Sequence, residues 1–233
     1  MDTGFSIGHK KALNLFDKTD MKNRQKNKLA CIALLGFVSF TLTNSPVLAQ
    51  HDQRTAYFAG GCFWCTEADF EKIDGVLEVV SGFMGGRKAN PSYSDVASGR
   101  TQHRETVKVV FDPSLVSYQT LLSAFWRMHD PSDATGSFVD RGRQYGSAIY
   151  FVDAEQRRLA EGGAKALDAS GKFDTPIATS IEPASAFYVA EAYHQDYHLK
   201  SPLRYKYYRY RSGRNQFIEA VWAGDDTVYQ SVQ

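Results

Sequence analysis

The spacing of hydrophobic and polar positions changes along the chain, and each change marks an element. Thr55-Ala56-Tyr57-Phe58-Ala59 is a short apolar run that reads as a buried strand. Gly60-Gly61 follows as a turn, because glycine reaches backbone angles that other residues resist. From Cys62 the pattern becomes helical. Phe63, Phe70 and Ile73 recur at helical spacing, with Glu67, Asp69, Glu71 and Lys72 between them. Val76 to Met84 is a second apolar strand, ended by Gly85-Gly86. Arg87 to Thr101, with Gly, Pro, Ser and Asn throughout, predicts a long loop, the kind of segment that often carries function.

His103 to Phe111 alternates. Glu105, Val107, Val109 and Phe111 point to one face, and Arg104, Thr106, Lys108 and Val110 to the other. A carboxylate sharing a face with three apolar residues is unusual; the ordinary alternative is a strand-end carboxylate at the solvent margin. After Asp112-Pro113, Ser117 predicts the cap of a helix whose apolar stripe is Tyr118, Leu121, Leu122, Phe125, Trp126 and Met128. His129-Asp130-Pro131 ends it, and a loop rich in Asp, Ser and Gly runs to Arg143. Tyr145 to Val152 predicts a strand, Ala154 to Ala169 a helix interrupted by Gly162-Gly163, and Ile177 to Ile181 another strand. Tyr188 to Tyr197 is partly polar. Strands and helices mix without a regular βαβ repeat.

The first 49 residues read differently. Met21 to Lys28 is basic, Leu29 to Leu42 is apolar, and Val47-Leu48-Ala49 is a small-residue cleavage site, so residues 21–49 are expected to be a signal peptide and the protein to be exported, to the periplasm. The apolar run is well short of the ~20 residues that span a bilayer, so no membrane span is expected once it is removed. Residues 1–20 read as an over-extended start, with Met21 the initiator. Residues 50–233 form one domain of ordinary size.

Composition adds limits. The whole chain has a formal charge of +1, but residues 1–49 hold seven basic and three acidic side chains, so the remainder stands at −3. Nothing in that balance calls for nucleic acid or an anionic membrane. One stretch goes against the balance: Lys200 to Arg214 interleaves Lys200, Arg204, Lys206, Arg209, Arg211 and Arg214 with Tyr205, Tyr207, Tyr208 and Tyr210. Such a stretch can stack on RNA. In a domain that is not basic, an arm packing its rings on the fold is the better expectation.

Of three cysteines, Cys31 lies in the apolar leader, which leaves Cys62 and Cys65. Cys62 is expected at the first turn of a helix, where unpaired N–H groups and the helix dipole favour a thiolate. Cys65 lies one turn on, on the same face. Half a zinc site, a static disulfide and a reactive thiol with a resolving partner all fit this spacing, but no second Cys pair follows to complete a zinc site. Phe63 and Trp64 between the cysteines differ from the Gly-Pro of thioredoxin-type pairs, and predict an apolar pocket beside the nucleophile.

Gly61-Cys62-Phe63-Trp64 followed by Glu67 resembles the signature of the A-type peptide methionine sulfoxide reductases. The resemblance continues through Pro91-Ser92-Tyr93, Gly99, His103-Arg104-Glu105, His129-Asp130-Pro131, the run from Asp140 to Tyr145, and Tyr193-His194-Gln195, and covers roughly Thr55 to Trp222. It implies an α/β fold, a two-layer sandwich related to the ferredoxin-like topology with a mixed sheet flanked by helices. It implies action on the S epimer of methionine sulfoxide, a thioredoxin-type reductant, and no cofactor or metal. By resemblance Cys62, Glu105, Tyr93, Tyr145, Phe63, Trp64 and Asp140 match the active-site motifs.

Sulfoxide reduction needs a sulfur nucleophile, an acid and a dry slot for a methyl group. Cys62 is the nucleophile and Glu105, on its apolar face, the acid. Tyr93 and Tyr145 offer hydroxyls to the sulfoxide oxygen, and Phe63 and Trp64 the slot. The implied cycle leaves Cys62 as sulfenic acid, which Cys65 captures as a disulfide for an external dithiol to reduce. Many members carry a resolving cysteine in the C-terminal segment; this chain has Ser212 there and no Cys. A disulfide oxidoreductase or redox sensor using the same pair, and a binding module with a structural disulfide, are the other classes the residues allow.

Overall fold

The structure is a computed structural model and describes residues 52–224. The expected start at 1–20 and signal peptide at 21–49 lie outside the described residues. Elements follow in the order β1 (Arg54–Ala59), α1 (Phe63–Phe70), β2 (Val76–Met84), α2 (Tyr93–Ala97), β3 (Arg104–Phe111) and α3 (Tyr118–Arg127). Then come two-residue strands β4 (Gly136–Ser137) and β5 (Asp140–Arg141), a 3₁₀ turn Arg143–Tyr145, β6 (Ala148–Phe151), α4 (Ala154–Ala169), β7 (Ser180–Pro183) and β8 (Tyr188–Val189). Three helices close the order: α5 (Tyr197–Lys200), α6 (Pro202–Arg211) and α7 (Arg214–Trp222).

The main sheet runs β7-β6-β1-β3-β2-β8. Every neighbouring pair is antiparallel except β6 and β7, so the sheet is mixed. Its inner four strands, β6-β1-β3-β2, with α1 leaving β1 and α3 leaving β3, make the split β-α-β arrangement of a ferredoxin-like unit. Helices α1, α3 and α4 cover one face. Phe58, Val107, Val109 and Phe111 point from the sheet into that layer, against Phe70, Leu121, Phe125 and Ala160. The Phe58 ring lies 4.9 Å from those of both Phe70 and Phe125. The other face buries a smaller cluster of Ala59, Met84, Ala148 and Tyr150. No helix among the described residues is long and apolar enough to cross a membrane.

Several local expectations change. Helix α4 runs through Gly162-Gly163 unbroken. A side chain at Gly163 would come within 2.9 Å of the Trp126 indole nitrogen, so that glycine serves close packing of α4 on α3 rather than a break. The loop 87–101 holds α2, five residues set by a capping box: Ser92 Oγ accepts from the Asp95 N–H and Asp95 Oδ2 accepts from the Ser92 N–H. Tyr145 ends the 3₁₀ turn, and the strand begins only at Ala148. The basic-aromatic arm is helix α6, packed on α1. It meets α1 at Cys65 and Ala68 through Tyr205, and it buries Asp69 between Lys72 Nζ at 3.0 Å and an Arg209 nitrogen at 2.9 Å; Glu67, on another side of α1, is wholly buried too.

Candidate active site

Strand β1 delivers the chain to Gly60-Gly61 at the sheet's edge of the helical layer. Gly61 has φ +89°, and a side chain there would meet Ser137 at 2.4 Å, so the turn requires glycine twice over. Beneath it lies Arg214 of α7, buried, donating to the Gly60 carbonyl at 3.1 Å and to the Met128 carbonyl. Cys62 is the residue that caps α1, and its side chain makes no cap bond.

The first free N–H of α1 goes elsewhere. Phe58 on β1 pairs with Val107 on β3, which brings Glu105, two residues earlier on the same face, to the start of α1. Phe63 N–H donates to Glu105 Oε2 at 3.0 Å. Glu105 is 3% exposed, and burial pushes its acid up to about 8 in spite of that bond. Near neutral pH it holds its proton.

This changes the expected state of Cys62. Burial, followed by the Cys65 hydrogen bond and the nearby Cys65, Glu105 and Asp140 charges, raises the Cys62 thiol well above the usual range. One of the helix N–H groups, that of Phe63, is taken by Glu105. Cys65 moves the other way, to about 7: the hydrogen bond from Cys62 lowers it, burial opposes, and Arg214 and Arg209 lower it further. Of the two, Cys62 is thus the weaker acid and Cys65 the stronger. Cys65 is wholly buried, in a cluster with Ala68 and with Tyr205 of α6, whereas Cys62 reaches a cavity.

That cavity, about 100 Å³, is lined by Cys62, Phe63, Trp64, Tyr93, Glu105, Asp140, Tyr145 and Tyr208. Seven of the eight were singled out from sequence; Tyr208 was not. Trp64 is held from behind: its indole N–H donates to His194 Nδ1 at 3.0 Å, and its ring stacks on Tyr197 at 3.8 Å. Burial lowers the His194 pKa, so the neutral imidazole accepts at Nδ1. Tyr93 opens α2, with its N–H on Glu191 Oε1 at 2.8 Å, and its ring lines the cavity together with that of Tyr145. Burial pushes Tyr93 up to about 12 and raises Tyr145 and Tyr208 further, so all three stay protonated donors. Asp140, on β5, accepts from the Tyr208 hydroxyl; burial raises its pKa although that bond works against it.

Three supports escaped the sequence reading. Tyr208 and Arg214 sit in the basic-aromatic stretch, which reads as an arm packing on the fold and not as part of the site. Gln195 pins the His194 segment to β2, accepting from the Ser81 N–H and donating to the Ser81 carbonyl, each at 2.9 Å. The motif Tyr193-His194-Gln195 was the available signal for His194 and Gln195. Among the described residues no group of three or more His, Cys, Asp or Glu side chains is arranged to hold a metal ion.

Comparison with known proteins agrees with this geometry. The family model described as peptide methionine sulfoxide reductase matches residues 54–226. The peptide methionine sulfoxide reductase MsrA of Listeria innocua serovar 6a is 47% identical over 177 residues, 76% of this chain and 100% of that protein. The peptide methionine sulfoxide reductase MsrA/MsrB of Vibrio cholerae serotype O1 is 47% identical over 181 residues, 78% of this chain but 47% of that protein, so this chain spans about half the length of that relative. The solved structure of methionine sulfoxide reductase A of Corynebacterium diphtheriae superposes with a TM-score of 0.59 at 35% identity, covering 66% of this chain and 78% of that one.

Proposed function

The chain belongs to the peptide methionine sulfoxide reductase family, and from that premise we propose which residues run the reaction, how it is resolved and what resets it. The reaction is reduction of methionine-S-sulfoxide to methionine by a thiol cycle. The observation that carries the assignment of roles is the cavity where the Cys62 thiol and the protonated Glu105 line one wall system with Phe63 and Trp64.

The substrate methyl group lies against Phe63 and Trp64, and its oxygen meets Tyr93, Tyr145 and Glu105. Cys62 gives its proton to Cys65, its hydrogen-bond partner, as its sulfur attacks. Glu105 protonates the sulfoxide oxygen, which moves to Cys62. Methionine leaves, with Cys62 as sulfenic acid, Cys65 as thiol and Glu105 as carboxylate. Cys65 then attacks Cys62, a disulfide forms and water departs. An external dithiol of thioredoxin type supplies two electrons and two protons by exchange, and the starting protonation returns. Asp140, held by Tyr208, orients the polar side of the cavity. The protein works outside the cytoplasm, in the periplasm; the basic and apolar pattern of residues 21–49 supports this reading.

The direct test is turnover of each epimer of free methionine sulfoxide with dithiothreitol. Consumption of the S epimer alone is expected. Thiol–disulfide exchange with no sulfoxide consumed would favour a disulfide oxidoreductase instead.

The resolving step has its own test. Cys65→Ser is expected to form about one methionine per enzyme in a single turnover without reductant, since Cys62 is untouched. Its thioredoxin-driven steady-state rate should collapse, and a small abundant thiol should restore part of it by attacking the sulfenic acid. Unchanged thioredoxin-driven turnover would remove Cys65 from the cycle.

A further inference from the structure

Helix α6 has two unlike faces. Inward, Tyr205 packs on Cys65 and Tyr208 lines the cavity. Outward, Leu203, Tyr207 and Tyr210 recur at the spacing that puts them on one stripe, and they are 82%, 69% and 64% exposed. Single exposed apolar residues are ordinary, but a continuous ridge on one helix is not. Exposed Lys206 flanks the ridge on one side and exposed Arg204 and Arg211 on the other. Residues 197–218 contain no carboxylate, within a domain otherwise rich in them, and none of those three cations forms an ion pair among the described residues. The pattern is an apolar ridge with positive charge on both flanks.

The position of the redox pair says what needs this ridge. Cys65 is wholly buried behind Tyr205, and Cys62 is 6% exposed, at the end of a cavity of about 100 Å³. A small thiol enters such a space. A folded protein cannot; it must seat its own cysteine at the rim, and α6 is part of that rim. The ridge lies one helix diameter, ~10 Å, behind the wall that Tyr208 supplies.

We propose that the outer face of α6 is the docking surface for the dithiol carrier protein that reduces the Cys62–Cys65 disulfide, a carrier whose cysteine-bearing apolar face is rimmed by carboxylates. This rests on the reductase cycle above. The carrier's thiolate attacks Cys62 sulfur and releases Cys65 as thiolate, which takes a proton. The carrier's second thiol then breaks the mixed disulfide and frees Cys62, so the carrier leaves oxidised. Fixed charges on a fixed ridge suit one recurring partner better than oxidised methionines set in many different surfaces. Flanking charges of this kind speed encounter and make it salt-dependent.

The test uses the full chain, free methionine-S-sulfoxide at saturation, and a thioredoxin kept reduced by its NADPH-dependent reductase as the probe. Leu203→Glu/Tyr207→Glu is expected to lower kcat/KM for thioredoxin by roughly 10-fold or more, the loss of a good interface anchor. With dithiothreitol the same variant should stay within about twofold of the parent, as solvent-facing changes do. Arg204→Glu/Lys206→Glu should give a smaller loss that fades with added salt. An unchanged kcat/KM for thioredoxin in both variants overturns the proposal, as does an equal loss with dithiothreitol. A dithiothreitol-driven loss confined to sulfoxides in proteins also overturns it and makes the ridge a substrate surface. If the parent reduces no methionine sulfoxide with dithiothreitol, the cycle itself falls, and that result is distinct from the others.

Discussion

Cys62→Ser is expected to abolish sulfoxide reduction with any reductant while the fold survives. A serine hydroxyl has neither the polarisable sulfur nor the means to carry the transferred oxygen as a sulfenic acid. The substitution is nearly isosteric at a residue that caps α1 without a side-chain cap bond, so no helix contact is lost. Activity should drop below a few per cent of the parent, a rough bound from the size of nucleophile effects. The measurements are methionine formed per enzyme with dithiothreitol, and circular dichroism of the variant. Turnover above that bound with native dichroism would move the nucleophile elsewhere.

Glu105→Gln is expected to have the second-largest effect, a loss of about 100- to 10,000-fold in kcat/KM, the usual range for a general acid. Glutamine can still accept the Phe63 N–H, so the helix start should stand, but it delivers no proton. The pH profile separates this from a structural loss. Burial holds the Glu105 acid up to about 8, so the reactive protonated form is present below that pH and is lost as pH rises through it. The parent's kcat/KM should fall on the alkaline side near 8, and the variant should lose that limb. If Glu105→Gln keeps parental kinetics, the proton comes from another group, and Asp140, whose pKa burial also raises, is the next candidate.

The sequence was most legible where local rules and tertiary structure agree. Strand alternation put Glu105 on the face of Val107, Val109 and Phe111, and the core lies on that face. The apolar run Val76 to Met84 matches β2 end to end. Legibility failed where contacts distant in the chain decide. Glu67 and Asp69 read as polar positions of α1, yet both are buried, and Arg209 of α6, 140 residues from Asp69, meets its carboxylate. The arm is expected to pack its rings on the fold, and Tyr208 does so, but Arg214 is a charge in the same stretch, and only the path of α7 turns it inward. The local environment of Cys62 was hidden for a similar reason. A helix start offers its N–H groups to whatever acceptor the fold supplies, and β3 supplies Glu105.

The placement of Arg214 also bears on the order of assembly. A chain made from its N-terminus produces the cysteine pair early and Arg214 late, 152 positions after Cys62. Until α7 docks, the Gly60 carbonyl lacks its guanidinium, and the helix that shields Cys65 has no anchor beyond it. The sheet and its aromatic core can form before that moment, but the reactive pair stays open to stray oxidants. A chain whose sheet forms ahead of α7 would pass through an interval in which the pair is chemically unprotected. That interval carries one hazard fewer because α6 and α7 hold no cysteine, so the late helices bring no third thiol with which the early pair could be scrambled.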